Sequence, residues 1–304
     1  MKTLHGKIVV VTGAAMGIGL ALAERAIEEG ARGVVLADIS GDLNKTVAAL
    51  RGRLGDKHDV ITSIIAVRTN VSRLADLQRL LRITLDKFGT VNVLFNNAGV
   101  GGGDGAKSVA NADIAKWEWV MGVNFWSVLY GCHTFGKWMI SRAQEDETYE
   151  GHVCNTASMA AYISGFLGAY SASKSACVAV TERLLQDVFN ADVFPRVGVS
   201  CLCPAMVVTN ILNQSKYEEN HGERLPTAAE IDTFARMPGA LSPAAVAEAV
   251  FDAIRKGDVL YINTHSMITD FAIRARAEAV CKAVVPVGQI RRNAKALRGA
   301  MSKL

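Results

Sequence analysis

Tyr170 and Lys174 are the two residues of this chain whose types and spacing suggest shared chemistry, in the sequence Tyr-Ser-Ala-Ser-Lys. A spacing of four places a phenol and an ammonium group on the same face of a helix. A phenol exchanges protons near neutral pH only when a neighbouring cation stabilises its charged form. Ser158 lies shortly upstream and offers a hydroxyl group. Together these residues predict redox chemistry on an alcohol or a carbonyl, with the phenol passing the proton.

A glycine-rich loop near the N-terminus is the candidate site for the dinucleotide that such chemistry needs. Gly13, Gly17 and Gly19 lie between a predicted strand and a predicted helix, where glycines let a pyrophosphate approach the helix N-terminus. Asp38 ends the next predicted strand, at the position about 20 residues further on where an acidic residue binds the adenosine ribose. Because a carboxylate repels a 2′-phosphate, the sequence predicts NAD rather than NADP. The alternative is that Asp38 only caps the following turn.

Short apolar segments alternate with amphipathic ones along most of the chain, which indicates strands covered by helices on both sides. The pattern predicts an α/β fold with one doubly wound parallel sheet, a Rossmann fold with helices on both faces. Strands are predicted at 7–12, 33–38, 60–67, 91–95, 152–157, 196–203 and 259–262. Helices are predicted at 17–29, 42–54, 72–88, 112–140, 169–189 and 243–256.

The uninterrupted alternation predicts a single domain over 1–304 rather than two. A long connection at about 206–241, after the sixth strand, is expected to form a lid, because it contains spaced apolar residues. A C-terminal extension at about 264–304 is expected to be helical and carries eight basic residues against two acidic ones.

Composition narrows the classes of partner and the compartment. A net charge of +4 is too small to indicate nucleic-acid binding, and no apolar run approaches the ~18 residues of a membrane span. The N-terminus does not resemble a secretory signal, so we expect a cytoplasmic protein.

The six cysteines form no CxxC pair and are expected to be reduced core residues. Cys201 and Cys203 share a strand face but have no nearby histidine or carboxylate, so no metal site is predicted.

With these residues assembled, the chain resembles the short-chain dehydrogenase/reductase family over 7–262. The resemblance rests on TGAAMGIG at 12–19, NNAG at 96–99, Asn124, Ser158 and the Tyr170-to-Lys174 motif. It implies that Tyr170 is the general acid/base, that Ser158 orients the substrate oxygen and that Lys174 assists the tyrosine and holds the nicotinamide ribose. It further implies that Asn124 fixes a water in a proton relay.

The resemblance also implies a set of cofactor-binding residues, with Asn70 and Val71 beside the adenine and Pro204 to Thr209 along the nicotinamide. The set is Gly13, Met16, Gly17, Ile18, Gly19, Asp38, Asn70, Val71, Asn97, Ala98, Gly99, Tyr170, Lys174, Pro204, Val207 and Thr209. The segment between Ser158 and Tyr170 carries no charge, which suits an apolar or aromatic substrate. The predicted pocket residues are Met159, Ala160, Phe166, Met206 and Ile211.

The interval from Ser158 to Tyr170 is one residue shorter than the commonest family spacing, which leaves Thr156 open as the source of the hydroxyl. The favoured function is hydride transfer between NAD(H) and a secondary alcohol or ketone. The alternative is a non-catalytic NAD-binding sensor or scaffold on the same fold. Two strongly apolar helices, 112–140 and 169–189, look too hydrophobic to be covered from one side only. The resemblance implies that they pair with their counterparts in a homodimer or homotetramer.

Overall fold

The computed structural model describes residues 1–54, 63–102, 109–163, 168–209, 211, 239–257, 260–264 and 274. Within these residues seven strands form one parallel sheet in the order β3-β2-β1-β4-β5-β6-β7. The predicted doubly wound sheet is therefore confirmed. The strands are β1 (Ile8–Thr12), β2 (Gly33–Asp38), β3 (Ile64–Arg68), β4 (Val93–Asn96), β5 (Gly151–Thr156), β6 (Val197–Cys203) and β7 (Tyr261–Asn263).

The strands are apolar on both faces because each face of the sheet is covered. All five residues of β1 are buried. Val9 and Val11 belong to one hydrophobic core, whereas Val10 belongs to the other, as the alternation of side chains along a strand requires. Two cores therefore flank a central sheet, and the carboxyl ends of its strands lie at one edge.

Among the described residues, six helices supply the covering layers. They are α1 (Gly17–Glu28), α2 (Leu43–Leu54), α3 (Leu74–Phe88), α4 (114–145), α5 (Gly168–Asn190) and α6 (Pro243–Lys256). The helices α1, α2 and α6 contribute to one core, and α3, α4 and α5 to the other. The predicted start of α6 is confirmed, because the Ser242 hydroxyl accepts a hydrogen bond from Ala245 N at 3.1 Å with proline at the next position.

The helix α4 is not a regular α-helix. It begins at Ile114–Met121, after Asp113 as N-cap, and it ends with Lys137–Glu145. In between, the π-helical turns Gly122–Trp126 and Cys132–Gly136 flank the short α-helical stretch Ser127–Gly131. This helix therefore continues past residue 140, where the sequence predicted its end.

The boundaries of β2 and α6 agree with the predicted ones, and the others differ by at most two residues, apart from the end of α4 and the start of β3. That strand begins at Ile64, while residues 60–62 of the predicted strand lie outside the described residues. Most of the predicted lid, 210 and 212–238, also lies outside them, as does the extension after 264 except for Arg274. Among the described helices, none combines the length and the apolar content needed to span a bilayer.

Candidate active site

The loop after β1 runs so close to the end of β4 that it requires glycine. Gly13 has a φ of +65°, and a Cβ there would lie 2.8 Å from the Cα of Ala98. A Cβ on Gly19 would overlap the carbonyl oxygen of Gly13. Gly13 and Gly19 therefore carry no side chain beside the N-terminus of α1, where free backbone N–H groups attract anions.

Thr12 joins the ends of β1 and β4. Its hydroxyl donates to the Phe95 carbonyl at 3.2 Å and accepts from the N–H groups of Asn97 and Ala98 at 2.9 and 3.1 Å. The Asn97 amide in turn donates to the Thr12 carbonyl at 3.1 Å. These bonds fix the segment after β4 against the glycine loop.

Asp38 has two structural partners at the end of β2. One carboxylate oxygen accepts from Ala15 N at 3.0 Å, and the other accepts from Ser40 N at 2.9 Å. Asp38 therefore caps its own turn and also holds the glycine loop, and its binding of the adenosine ribose stays a prediction. Burial raises the pKa of this carboxyl, while the N–H groups of Ala15 and Ser40 act in the opposite direction.

Lys174 is 2% exposed and lies one helical turn after Tyr170 on α5. Its Nζ donates to the carbonyl of Thr156, the last residue of β5, at 2.9 Å. The same Nζ lies 5.7 Å from the centroid of the Tyr170 ring, within range of a cation–π interaction. The predicted pair is therefore together in space, and the ammonium is held between the phenol and the sheet.

Asn124 lies in the first π turn of α4 and is fully buried. Its side chain accepts from Val100 N at 2.7 Å and donates to Val100 O at 3.0 Å and to the Ser173 hydroxyl at 3.1 Å. Its backbone carbonyl accepts from the Cys177 thiol at 3.1 Å. The side chain thus clamps the segment after β4 to α4 and α5, and the water relay stays a prediction.

Ser158 and Thr156 both remain near the site. The Ser158 hydroxyl accepts from Ala160 N at 3.1 Å and lies 3.5 Å from the Pro204 carbonyl, and its side chain is buried. Thr156 places its hydroxyl 3.5 Å from the Asn97 side-chain oxygen. The choice between the two hydroxyls stays open.

A cavity of about 540 Å³ opens at the carboxyl ends of the strands, where α/β sheets bind their ligands. Segments following β1 to β6 all contribute to its wall. The predicted site residues that line it are Gly13, Met16, Gly17, Ile18, Asp38, Asn70, Val71, Asn97, Ala98, Gly99, Tyr170, Lys174, Pro204, Thr209 and Ile211. The structure therefore gathers most of the predicted cofactor residues around one space.

Other predicted residues lie behind the wall. Of the described residues, Gly19, Asn124, Ser158, Met206 and Val207 are not part of the lining. The predicted residue Phe166 lies outside the described residues.

Met159 and Ala160 were predicted to line the substrate pocket, but they are only 2% and 8% exposed and do not border the cavity. The physical reason is the short 3-10 turn that contains them. Met159 N donates to the Pro204 carbonyl at 3.0 Å, and Ser175 of α5 donates to the Ala161 carbonyl at 2.8 Å. The turn is thereby held against the core.

Sequence reasoning missed several lining residues: Ile39, Thr69, Val100, Trp119, Val123 and Ala157. Most of them are chain neighbours of predicted residues, and that adjacency was the available signal. Trp119 is the exception, since it lies on α4 away from every predicted motif except Asn124. Its signal was the spacing of four to Val123, which places the two side chains on one helix face.

Two further predictions concern cysteines and metals. The five described cysteines, Cys132, Cys154, Cys177, Cys201 and Cys203, are free and buried. Burial raises the pKa of the Cys132 and Cys154 thiols to about 12. Within the described part of the chain, no group of three histidine, cysteine or acidic residues is arranged to hold a metal ion.

Comparison with known sequences places this arrangement among dehydrogenases. A family model described as short chain dehydrogenase matches residues 7–220. The 3beta-hydroxysteroid dehydrogenase 2 of Eggerthella lenta is 33% identical over 215 residues, which are 68% of this chain and 74% of that protein. The 2-(R)-hydroxypropyl-CoM dehydrogenase of Xanthobacter autotrophicus is 28% identical over 277 residues, 88% of this chain and 99% of that protein.

A solved structure supports the same relationship. The crystal structure of a short chain dehydrogenase/reductase from Burkholderia phymatum in complex with NAD superposes with a TM-score of 0.76 at 36% sequence identity. The match covers 94% of this chain and 99% of that one.

Proposed function

This chain belongs to the short-chain dehydrogenase/reductase family, and on that premise we propose that it transfers a hydride between NAD(H) and a secondary alcohol or ketone. The observation that carries the proposal is the buried Lys174 ammonium, 5.7 Å from the centroid of the Tyr170 ring in the wall of the cavity. A buried cation beside a phenol stabilises the phenolate, the form that removes a proton from an alcohol.

The described residues fit a dinucleotide. The cavity has the volume of a cofactor site, and at Gly13 and Gly17 the loop borders it with backbone alone. Asp38 lies in the wall at the end of β2, where its charge opposes a 2′-phosphate and its oxygens suit ribose hydroxyls. These features support NAD as the cofactor in preference to NADP.

In the proposed reaction, the Tyr170 oxygen takes the proton of the substrate hydroxyl during oxidation and returns it during reduction. Lys174 stabilises the tyrosine anion and is itself held by the Thr156 carbonyl. Ser158, or Thr156 as the alternative, orients the substrate oxygen by a hydrogen bond. NAD, when bound, supplies the acceptor for the hydride that leaves the alcohol carbon.

We assign the substrate to the apolar or aromatic secondary alcohols. Val100 and Ile211 contribute apolar wall near the NNAG segment, and Gly101 lies against the backbone of Ile211. The Eggerthella lenta relative is a hydroxysteroid dehydrogenase by name, which is consistent with a bulky apolar alcohol. The apolar wall and this relative together support an apolar secondary alcohol as the substrate.

We also propose a cytoplasmic homodimer or homotetramer. Trp126 of α4 is 43% exposed and makes tilted ring contacts with Phe125 and Tyr130, with ring centroids 5.1 and 5.7 Å away. An exposed aromatic group of this kind is typical of a contact surface between subunits. Free, buried cysteines are consistent with a reducing compartment.

The test is the formation of NADH from a panel of aliphatic, aromatic and steroidal secondary alcohols, with NAD and NADP run side by side. Tyr170→Phe removes only the phenolic oxygen, so we expect turnover to fall by about 10²–10⁴-fold while NAD binding, measured by calorimetry, persists.

Tyr162→Phe is the matched control, because its hydroxyl lies 3.7 Å from the Cys203 sulfur and the residue is not part of the cavity lining. It should retain wild-type turnover. Binding of NAD without turnover of any alcohol by the wild type would instead favour the sensor alternative.

A further inference from the structure

We propose that Trp119 is a cofactor-binding residue whose indole stacks on the adenine of the bound dinucleotide. The proposal rests on the function above, since it requires that the cavity hold NAD(H). It adds a residue on α4 to the adenosine end of the site.

Trp119 is half-buried and forms part of the cavity wall. Among the described residues it belongs to neither hydrophobic core, and no other aromatic ring is stacked on it. Its large apolar surface therefore borders the space that a ligand would occupy. A planar ligand that covered this surface would gain binding free energy from apolar burial and from ring stacking.

The face of α4 that carries Trp119 is directed at the segment after β3. Gly122, three residues later and on the same face, approaches Ser72 so closely that a Cβ on the glycine would lie 3.9 Å from the Ser72 Cβ. Val123 also lines the cavity, together with Asn70 and Val71. The indole therefore belongs to the part of the wall formed with Asn70 to Ser72.

That part of the wall is the end of the cavity distant from the reacting phenol. The segment after β3 adjoins Asp38, since Thr69 N donates to the Asp38 carbonyl at 2.8 Å. Lys174 instead is bonded to Thr156 at the end of β5. In the sheet β2 and β5 are three strand spacings apart, about 14 Å. The two ends of the cavity are therefore far enough apart to hold the two ends of a dinucleotide.

The helix turn that follows Trp119 is held in place before any ligand arrives. Asn124 bonds both the N–H and the carbonyl of Val100 and also the Ser173 hydroxyl. A ring presented by a fixed helix loses little freedom when it is covered, so more of the stacking energy appears as affinity. Adenine suits such a surface because every base offers a flat π-face to an aromatic side chain.

The test measures dissociation constants of AMP, nicotinamide mononucleotide and NAD by calorimetry for the wild type, Trp119→Ala and Trp119→Phe. Loss of one stacked base predicts about tenfold weaker binding of AMP and NAD in Trp119→Ala, with nicotinamide mononucleotide unchanged. Trp119→Phe keeps a smaller ring, so its constants should fall between those of the other two proteins. It also serves as the variant expected to fold if the alanine variant does not.

Trp117→Phe is the matched control two residues away. The Trp117 ring faces α5, where a Cβ on Gly168 would lie 3.5 Å from its Cζ2, and it does not line the cavity. AMP should quench tryptophan fluorescence in the wild type and in Trp117→Phe, and this quenching should disappear in Trp119→Phe.

Unchanged AMP affinity in Trp119→Ala would overturn the proposal. So would weaker binding of nicotinamide mononucleotide, or a raised KM for the alcohol with AMP affinity intact, because either would place the indole at the other end. In each case a wild type that binds NAD and oxidises an alcohol would leave the proposed function standing. A wild type that binds neither NAD nor AMP would overturn both.

Discussion

Replacing Asn124 by alanine should cost stability as well as activity, because the side chain acts as a clamp. The amide makes three hydrogen bonds of 2.7, 3.0 and 3.1 Å and is fully buried. Each such bond contributes about 0.5–1.5 kcal/mol net to the free energy of unfolding. Asn124→Ala removes all three, so we expect that free energy to fall by about 2–4 kcal/mol.

The assay is urea unfolding at a fixed protein concentration, followed by circular dichroism, together with turnover measured on the same samples. Asn190→Ala is the matched control, since Asn190 is exposed at the end of α5 and its side-chain oxygen accepts from Gln186 at 3.0 Å. Its free energy of unfolding should stay within about 0.5 kcal/mol of the wild type.

The clamp and the water relay predict different results. If Asn124→Ala unfolds within about 0.5 kcal/mol of the wild type while turnover falls, the clamp is refuted and a role in proton transfer alone is favoured. If the stability falls as expected and the dissociation constant for NAD rises with it, the side chain holds the segment at Val100 in its binding conformation.

Two further predictions concern charge. Asp38→Asn keeps an oxygen for the N–H of Ala15 but loses the negative charge. The ratio of kcat/KM for NADP to kcat/KM for NAD should therefore rise at least about tenfold. An unchanged ratio would show that another residue selects the cofactor. His152 is buried against Ser200, and burial lowers the pKa of its imidazole to about 3. In the unfolded chain the imidazole instead becomes protonated below its ordinary pKa of 6.5. The free energy of unfolding should therefore fall by about 1.4 kcal/mol per pH unit from this group as the pH drops from 6.5 towards 3. His152→Gln should show a shallower fall by that amount in urea titrations between pH 6.5 and 4.5, and identical slopes would contradict the assignment.

The fold could be predicted from the sequence because its signals are local. The strand Ile8–Thr12 is apolar at its first four positions and buried at all five, as is typical of a strand covered on both faces. The glycine loop and Asp38 could be predicted for the same reason, since a short segment contains the strand end, the turn and the acidic residue.

The substrate wall was harder to predict because apolar composition does not separate a pocket from a core. Met159 is as hydrophobic as a pocket residue, yet the bond from its N–H to the Pro204 carbonyl holds it in the interior. That contact joins residues far apart in the chain. Trp119 shows the converse: helical periodicity places it on a face of α4, but only the approach of Gly122 to Ser72 shows what that face meets.

The π turns of α4 were also beyond prediction, and they alter how the whole helix is oriented. Each π turn accommodates one more residue than an α turn, so it acts as an insertion that shifts the helical phase by about 100°. Two such insertions, at Gly122–Trp126 and Cys132–Gly136, shift it by about 200° along one helix. On a regular α-helix Trp119 and Met139 would lie about 200° apart, so the two insertions bring them onto the same stripe, which packs Met139 into the core. One stripe of a continuous helix can in this way border a ligand site at its first turns and the core at its last turns. Its apolar residues drift around an ideal α-helix, so the segment looks, in sequence, hydrophobic all round.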